Sequence, residues 1–214
     1  MPMTKKEEDI MKIAINGFGR IGRLVFRLME EDNYFDVVAI NDLSTPEELA
    51  YLLKYDTNHR NYNKEITYDE ENIIIEGKKV RVYKEIDPTN LPWKELGIDL
   101  VFECTGKFTK EEDAMKHITA GAKKVLVSAP CKGNVKTVVY NVNDDILNDS
   151  DKIVSAASCT TNCLAPVLKL VDDNFGIIKG FMTTIHAYTN DQVTLDVSHK
   201  KGSHSRRGRA CAMN

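Results

Sequence analysis

An apolar run, MKIAIN, meets a glycine-spaced turn, Gly17-Phe18-Gly19-Arg20-Ile21-Gly22, which opens onto RIGRLVFRLMEE. In that last segment Ile21, Leu24, Val25 and Leu28 recur at helical spacing, so the order is strand, turn, helix. G-x-G-x-x-G in this setting has a mechanical reading: the first glycine permits the tight turn, the second lets backbone approach a pyrophosphate, and the third packs helix on strand. The start of the helix offers unpaired amides to an anion. A second apolar run, FDVVAIND, follows, and its Asp42 stands where a carboxylate can bind ribose hydroxyls and repel a 2′-phosphate. The first 42 residues therefore read as a βαβ unit holding a dinucleotide, NAD in preference to NADP. Capping of the next loop by Asp42 is compatible with that role.

The same architecture continues downstream. Pro46 opens a helical stretch, PEELAYLLK, with acidic residues in its first turn. Residues 72–83 read as a hairpin around a Glu-Gly-Lys turn. IDLVFEC, KEEDAMKHITAG and KKVLVSAP give strand, helix and strand again, so the fold class is α/β, a Rossmann-type doubly wound parallel sheet. TVVYNV is expected to be a strand, NDDILNDSDK a polar linker, CTTNCLAPVLKLVDDNF an amphipathic helix, and IIKGFMTTIHAY a long strand. One helix and one strand cannot cover both faces of a new sheet, so the α+β domain that begins there reads as incomplete. The expected division is a frayed extension over 1–10, a nucleotide domain over 11–158 and a truncated catalytic domain over 159–214.

Composition narrows the function classes. Hydrophobic residues make up 42 % and charged ones 29 % of 214, which excludes disordered and collagen-like chains. Twenty-nine Lys and Arg against 32 Asp and Glu leave −3, so no overall charge draws the chain to nucleic acid or anionic membrane. Apolar runs are too short to cross a bilayer. Five cysteines, an odd number without a secretory leader pattern, argue against a disulfide framework and for a reducing compartment.

Cys159, in Ser158-Cys159-Thr160-Thr161-Asn162, lies at a predicted helix N-terminus, where the dipole favours thiolate over thiol. His186 ends the predicted strand of the same candidate domain, and a Cys and His joined by the fold make a nucleophile and base. Each residue type also occurs as ordinary core, and Cys163 reads as packing. Zinc held by Cys159, Cys163 and His186 lacks a second close ligand pair, so no metal is expected. The basic stretch HKKGSHSRRGR has neither the breadth nor the aromatics of a nucleic-acid surface; it is a solvated loop or a contact for a phosphate-bearing metabolite.

These residues, with KIAINGFGRIGR, AIND, DPTNLPW, ECTGKFT, SAPCKG, SASCTTNCLAP and HAYTNDQ in order along the chain, resemble the phosphorylating glyceraldehyde-3-phosphate dehydrogenases. The resemblance implies that Cys159 attacks the aldehyde of glyceraldehyde 3-phosphate with His186 as base. A thioester then forms as NAD+ is reduced, and inorganic phosphate releases 1,3-bisphosphoglycerate. It further implies substrate or phosphate contacts at Ser158, Thr160, Thr189 and Arg207. NAD contacts are implied over Gly17, Phe18, Gly19, Arg20, Ile21 and Gly22 and at Asp42, Thr105 and Ser128. A cytoplasmic homotetramer acting in glycolysis follows from the same resemblance.

Three positions depart from the family pattern. Ile86 stands where many members carry an arginine near the adenine, Ser198 where NAD-restricted members often carry proline, and GSHSRRGR is longer than the common form. The chain also lacks the family's later phosphate loop, second phosphate arginine, nicotinamide-orienting asparagine and last helix. It is therefore expected to bind NAD weakly without steady turnover. The alternatives are an erythrose-4-phosphate dehydrogenase, which hydrolyses the thioester, and an inactive NAD-binding fragment.

Overall fold

The computed structural model describes residues 10–32, 34–189 and 192. It divides into one compact unit ending at Asn174 and a second beginning at Phe175. In the first unit the strands are β1 (Met11–Asn16), β2 (Phe35–Asn41), β3 (Ile66–Tyr68), β4 (Asn72–Ile75), β5 (Lys78–Tyr83), β6 (Leu100–Glu103), β7 (Lys124–Val127), β8 (Lys136–Thr137) and β9 (Ile153–Ser155). The helices are α1 (Arg20–Met29), α2 (Pro46–Lys54), α3 (Trp93–Leu96), α4 (Glu111–Thr119) and α5 (Cys159–Phe175). Among the described residues the strands form one sheet in the order β3-β4-β5-β2-β1-β6-β7-β9-β8. Only the β3–β4 and β4–β5 pairings are antiparallel. The mixed α/β fold with a large, mostly parallel sheet is the one expected.

MKIAIN reads as continuously apolar because both its faces are covered. Ile13 and Ile15 join Phe26, Val37, Leu49 and Leu53 in one buried cluster, while Ala14 joins Trp93, Val101, Ala114 and Val125 in the other. Between these partners the β1–β2 register slips: Ile13 pairs with Val37 but Ala14 with Ala39. That bulge lets Ala39 share the face of Ala14.

Local chemistry explains the element ends. Thr45 and Glu48 form a reciprocal capping box at the start of α2, with Pro46 in its first turn. The β4–β5 hairpin turns through Glu76 and Gly77, at φ 47° and 82°, the two positive values that a type I′ turn requires. Helix α1 buries Gly22, Phe26 and Met29, whereas Ile21 and Leu28 of the apolar set are exposed. The packed face thus lies to one side of the face that spacing alone suggests.

Two expected strands differ. TVVYNV contributes only the end of the two-residue β8, because Val139 turns into the Val139–Asn143 loop, where Asn143 Oδ1 takes the Val139 amide. IIKGFMTTIHAY forms no strand, and no strand among the described residues pairs with it. Cys163 is exposed rather than packed, as are Val167, Leu168 and Leu170 on α5, since no described element covers that helix. The polar linker holds a single 3-10 turn at Asp144–Ile146.

Candidate functional site

Strand order reverses at β1: the chain runs outward through β2 and β5, then returns to place β6 on the other side of β1. Ligands of open α/β sheets bind beyond the carboxyl ends of the strands at such a reversal. A 340 Å³ cavity opens there, lined by Asn16, Gly17, Gly19, Asn41, Asp42, Leu43, Glu85, Ile86, Cys104, Thr105, Lys107 and Phe108. A larger groove of 580 Å³ between α1 and residues 59–64 has no glycine turn at its wall.

The glycine turn is fixed by close approaches. Gly17 has φ +91°, and a Cβ there would stand 2.7 Å from the Thr105 amide nitrogen. At Gly22 a Cβ would stand 2.2 Å from the Gly17 carbonyl oxygen. At Gly19 it would meet nothing within 4 Å, so this is the glycine that faces open space. Gly19 is also the N-cap of α1 and supplies no side-chain cap. The first-turn amides thus have no side-chain acceptor at the cap, the arrangement that suits an anion.

Asp42 anchors the turn from the next strand. Its Oδ2 accepts from the Phe18 amide at 2.8 Å and its Oδ1 from the Ser44 amide at 3.0 Å. Each carboxylate oxygen keeps a second lone pair for a hydroxyl at the cavity wall. Capping and ligand contact are therefore compatible in geometry. These residues fit a dinucleotide: an open glycine before an anion-accepting helix start, and a carboxylate one strand away.

The cavity brings together Gly17, Gly19, Asp42 and Thr105 of the expected contacts. Phe18 has its ring buried against Phe26, edge to face at 5.5 Å, so it reaches the site by backbone alone. Arg20 is held by Asp56, and Ile21 is exposed. Gly22 lies inside, packing the helix on the turn. Ser128 lies behind the wall, its amide on the Glu103 carbonyl at 3.0 Å and its side chain on the Cys104 thiol.

Burial pushes the Cys104 thiol up to about 12, against a smaller opposing effect of the Ser128 bond. A thiol so placed carries almost no thiolate at pH 8. In the folded chain at pH 8, Cys104 is expected to remain unmodified by iodoacetamide and to react once the chain is unfolded, as read by peptide mapping. Modification of Cys104 in the folded chain at the rate of a simple exposed thiol would contradict its burial.

A strained turn presents Cys159. The Ser155 hydroxyl donates to the Ala129 carbonyl at 2.8 Å, and its oxygen accepts from the Ala157 amide at 3.2 Å. Ala157 is buried with φ +60°, a left-handed conformation that a residue with a Cβ holds at a cost of about 1–3 kcal/mol. Ser158 then caps α5, its Oγ accepting from the Thr161 amide at 3.0 Å. Asn162 donates back to the carbonyls of Ala156 and Ser158 at 2.7 and 2.9 Å. Cys159 follows as the first helical residue, exposed, with Thr160 Oγ1 at 4.0 Å from its sulfur.

In the second unit His186 is exposed, with Nδ1 2.6 Å from the Ala187 carbonyl oxygen, and the Thr189 amide donates to Gln192 Oε1 at 2.7 Å. Arg207, Ser198, the basic loop, Cys211 and residues 1–9 lie outside the described residues. Among the described residues no group of three or more His, Cys, Asp or Glu could hold a metal, and no helix is long and apolar enough to cross a membrane.

Asn16, Asn41, Glu85, Lys107 and Phe108 at the cavity were not singled out from sequence. A usable signal existed for two of them, since Asn16 and Asn41 are polar residues that end apolar strands at the edge where a parallel sheet binds ligands.

Residues 11–111 match the family model described as glyceraldehyde 3-phosphate dehydrogenase, NAD binding domain, and residues 158–214 match the C-terminal domain of the same enzyme. Glyceraldehyde-3-phosphate dehydrogenase of Clostridium pasteurianum is 56 % identical over 203 residues, 95 % of this chain and 60 % of the relative. That of Clostridium acetobutylicum is 56 % identical over the same extent. The Mycoplasma pneumoniae protein of that name is 53 % identical over 213 residues, 99 % of this chain and 62 % of the relative. The chain thus spans about six-tenths of the length of these curated relatives. Matched in both its glycine-turn half and its cysteine-bearing half, it belongs to the glyceraldehyde-3-phosphate dehydrogenase family.

Proposed function

We propose that these residues serve the NAD+-dependent, phosphorylating oxidation of glyceraldehyde 3-phosphate to 1,3-bisphosphoglycerate, in glycolysis, as part of a cytoplasmic homotetramer. The observation that carries the reading is the open glycine turn at the point of strand reversal, with Asp42 bound to it. Residues 11–158 act as the nucleotide domain and 159–214 as part of the catalytic one.

Cys159 Sγ forms a bond to the aldehyde carbon while the carbonyl oxygen takes a proton held by His186, giving a hemithioacetal. A dinucleotide held by the glycine turn and Asp42 would supply the acceptor for the hydride of that carbon. His186 takes the hydroxyl proton as the thioester forms. A phosphate oxygen then attacks the thioester carbon, and Cys159 leaves as thiolate, which the amides at the start of α5 favour. Ser158, Thr160, Thr189 and Arg207 contact the substrate anions. Gly17 to Gly22 and Asp42 hold the pyrophosphate and ribose, with Thr105 and Ser128 supporting the wall.

The test is NADH formation by the native protein with and without inorganic phosphate, on glyceraldehyde 3-phosphate and on erythrose 4-phosphate. Dependence on phosphate with the triose is expected. Phosphate-independent oxidation favouring the tetrose would overturn the assignment and identify the hydrolytic reaction.

A further inference from the structure

From the cavity wall inward, five buried side chains from separate elements form a single line of hydrogen bonds: Asn41 and Asn16, which line the cavity, then Glu103, His117 and Trp93, none more than 5 % exposed. Its direction is fixed at both ends. The indole N–H can only donate, and Trp93 Nε1 lies 3.0 Å from His117 Nδ1, so Nδ1 accepts and the imidazole carries its hydrogen on Nε2. Nε2 therefore donates to Glu103 Oε2 at 3.1 Å. At the other end main chain sets the polarity. The Glu85 amide donates to Asn41 Oδ1 at 2.8 Å and its carbonyl accepts from Asn41 Nδ2 at 2.9 Å.

Asn41 Nδ2 also donates to Asn16 Oδ1 at 2.7 Å, which leaves Asn16 Nδ2 to donate to Glu103 Oε2 at 2.5 Å. The 3.3 Å approach of Asn16 Nδ2 to His117 Nε2 is then two donors meeting on one oxygen, not a bond between them. The other carboxylate oxygen, Glu103 Oε1, accepts from the Thr105 amide at 2.8 Å and from the Thr105 hydroxyl. Glu103 thus takes four donors, of which only the Thr105 hydroxyl could instead accept; the Thr105 amide, the Asn16 NH2 and the His117 Nε2–H are held as donors.

Placement gives this line its use. Asn16, Asn41 and Glu103 are the last residues of β1, β2 and β6, and each stands one or two residues before a part of the cavity wall: Gly17, Asp42 and Thr105. Buried polar chains stabilise little compared with apolar packing of equal volume, so fold stability alone is a weak reason for one here. We propose that Glu103 and His117 are positioning residues for the dinucleotide: they lock the three strand ends at the separation that the turn, the ribose carboxylate and Thr105 need. This rests on the reading of the cavity as an NAD+ site.

The test is NAD+ affinity of the purified chain, measured by calorimetry well below the melting temperature. The emission of Trp93, the single tryptophan, reports whether each variant keeps the indole buried. In Glu103→Gln an NH2 group must face either Thr105 or the Asn16 and His117 donors, and Kd is expected to rise at least about tenfold. His117→Leu removes the donor to Glu103 and the acceptor for Trp93, and is expected to weaken binding in the same direction. His117→Gln can accept from the indole and donate to Glu103, and should bind within about threefold of the unaltered chain.

A folded Glu103→Gln that binds within about threefold of the unaltered chain would overturn the proposal, leaving the line merely structural. If Glu103→Gln does not fold, the two His117 variants decide, and equal affinity in both would overturn it. Absence of NAD+ binding by the unaltered chain would instead overturn the proposed function, and this inference with it.

Discussion

Gly19→Ala should abolish NAD+ binding while leaving the melting temperature nearly unchanged, whereas Gly22→Ala should lower both. Both positions belong to one six-residue turn, yet their surroundings are opposite. At Gly19 the backbone has φ −74° and ψ −155°, an extended conformation open to any residue, and an added Cβ meets no protein atom. It meets instead the space that a pyrophosphate needs for contact with the amides. At Gly22 the Cβ would lie 2.2 Å from the Gly17 carbonyl oxygen and 3.2 Å from Ile15 Cγ2, and neither neighbour is the end of a flexible chain. Either the turn or α1 must move to relieve that contact. Overpacking of that kind costs about 3 kcal/mol, or roughly 6–12 °C in a domain of this size. Thermal melts and calorimetry on the two variants check this. Equal loss of stability in both would mean that the turn is purely structural.

Cys159→Ser should reduce NADH formation by the native protein by at least about 10³-fold while leaving NAD+ affinity within about threefold. A serine hydroxyl is a far weaker nucleophile than a thiolate at neutral pH, and the His186 imidazole does not make up that difference. Cofactor affinity is spared because the glycine turn and Asp42 stand at the ends of β1 and β2, while Cys159 begins α5 after β9. His186→Asn is expected to cost about 10²–10⁴ in the same assay, the usual worth of a positioned proton carrier. Steady-state kinetics paired with NAD+ titration separates the two effects. Retained turnover in Cys159→Ser would remove the thioester from the mechanism.

Local turn chemistry at the two candidate sites is legible in sequence. The glycine turn declared itself because its chemistry is local: three glycines, a preceding strand and a following helix lie within one stretch. The Cys159 turn was equally compact, and α5 begins at the cysteine as the Ser158 cap implies. Contacts at a distance were not legible. Glu103 looks like the charged end of a short strand and His117 like an ordinary residue on an amphipathic helix; only the β1–β6 pairing and the approach of α4 place them on one line. Trp93 gave no sign that its indole N–H had a partner, since α3 is four residues long and shows no period.

Periodicity also misled at α1, where Gly22 sets the packing face and turns Ile21 and Leu28 outward. At 177–188 the sequence pattern suggests a strand, and none forms among the described residues. A pattern, however, states only what a strand would bury if a neighbour were present.

The most direct test is a calorimetric titration of the unaltered 214-residue chain with NAD+ and with NADP+, repeated on Gly19→Ala. Saturable binding of one NAD+ per chain, weaker binding of NADP+ because Asp42 opposes a 2′-phosphate, and no binding to the variant are expected. Absence of saturable heat with NAD+, or affinity undiminished in Gly19→Ala, would contradict the account.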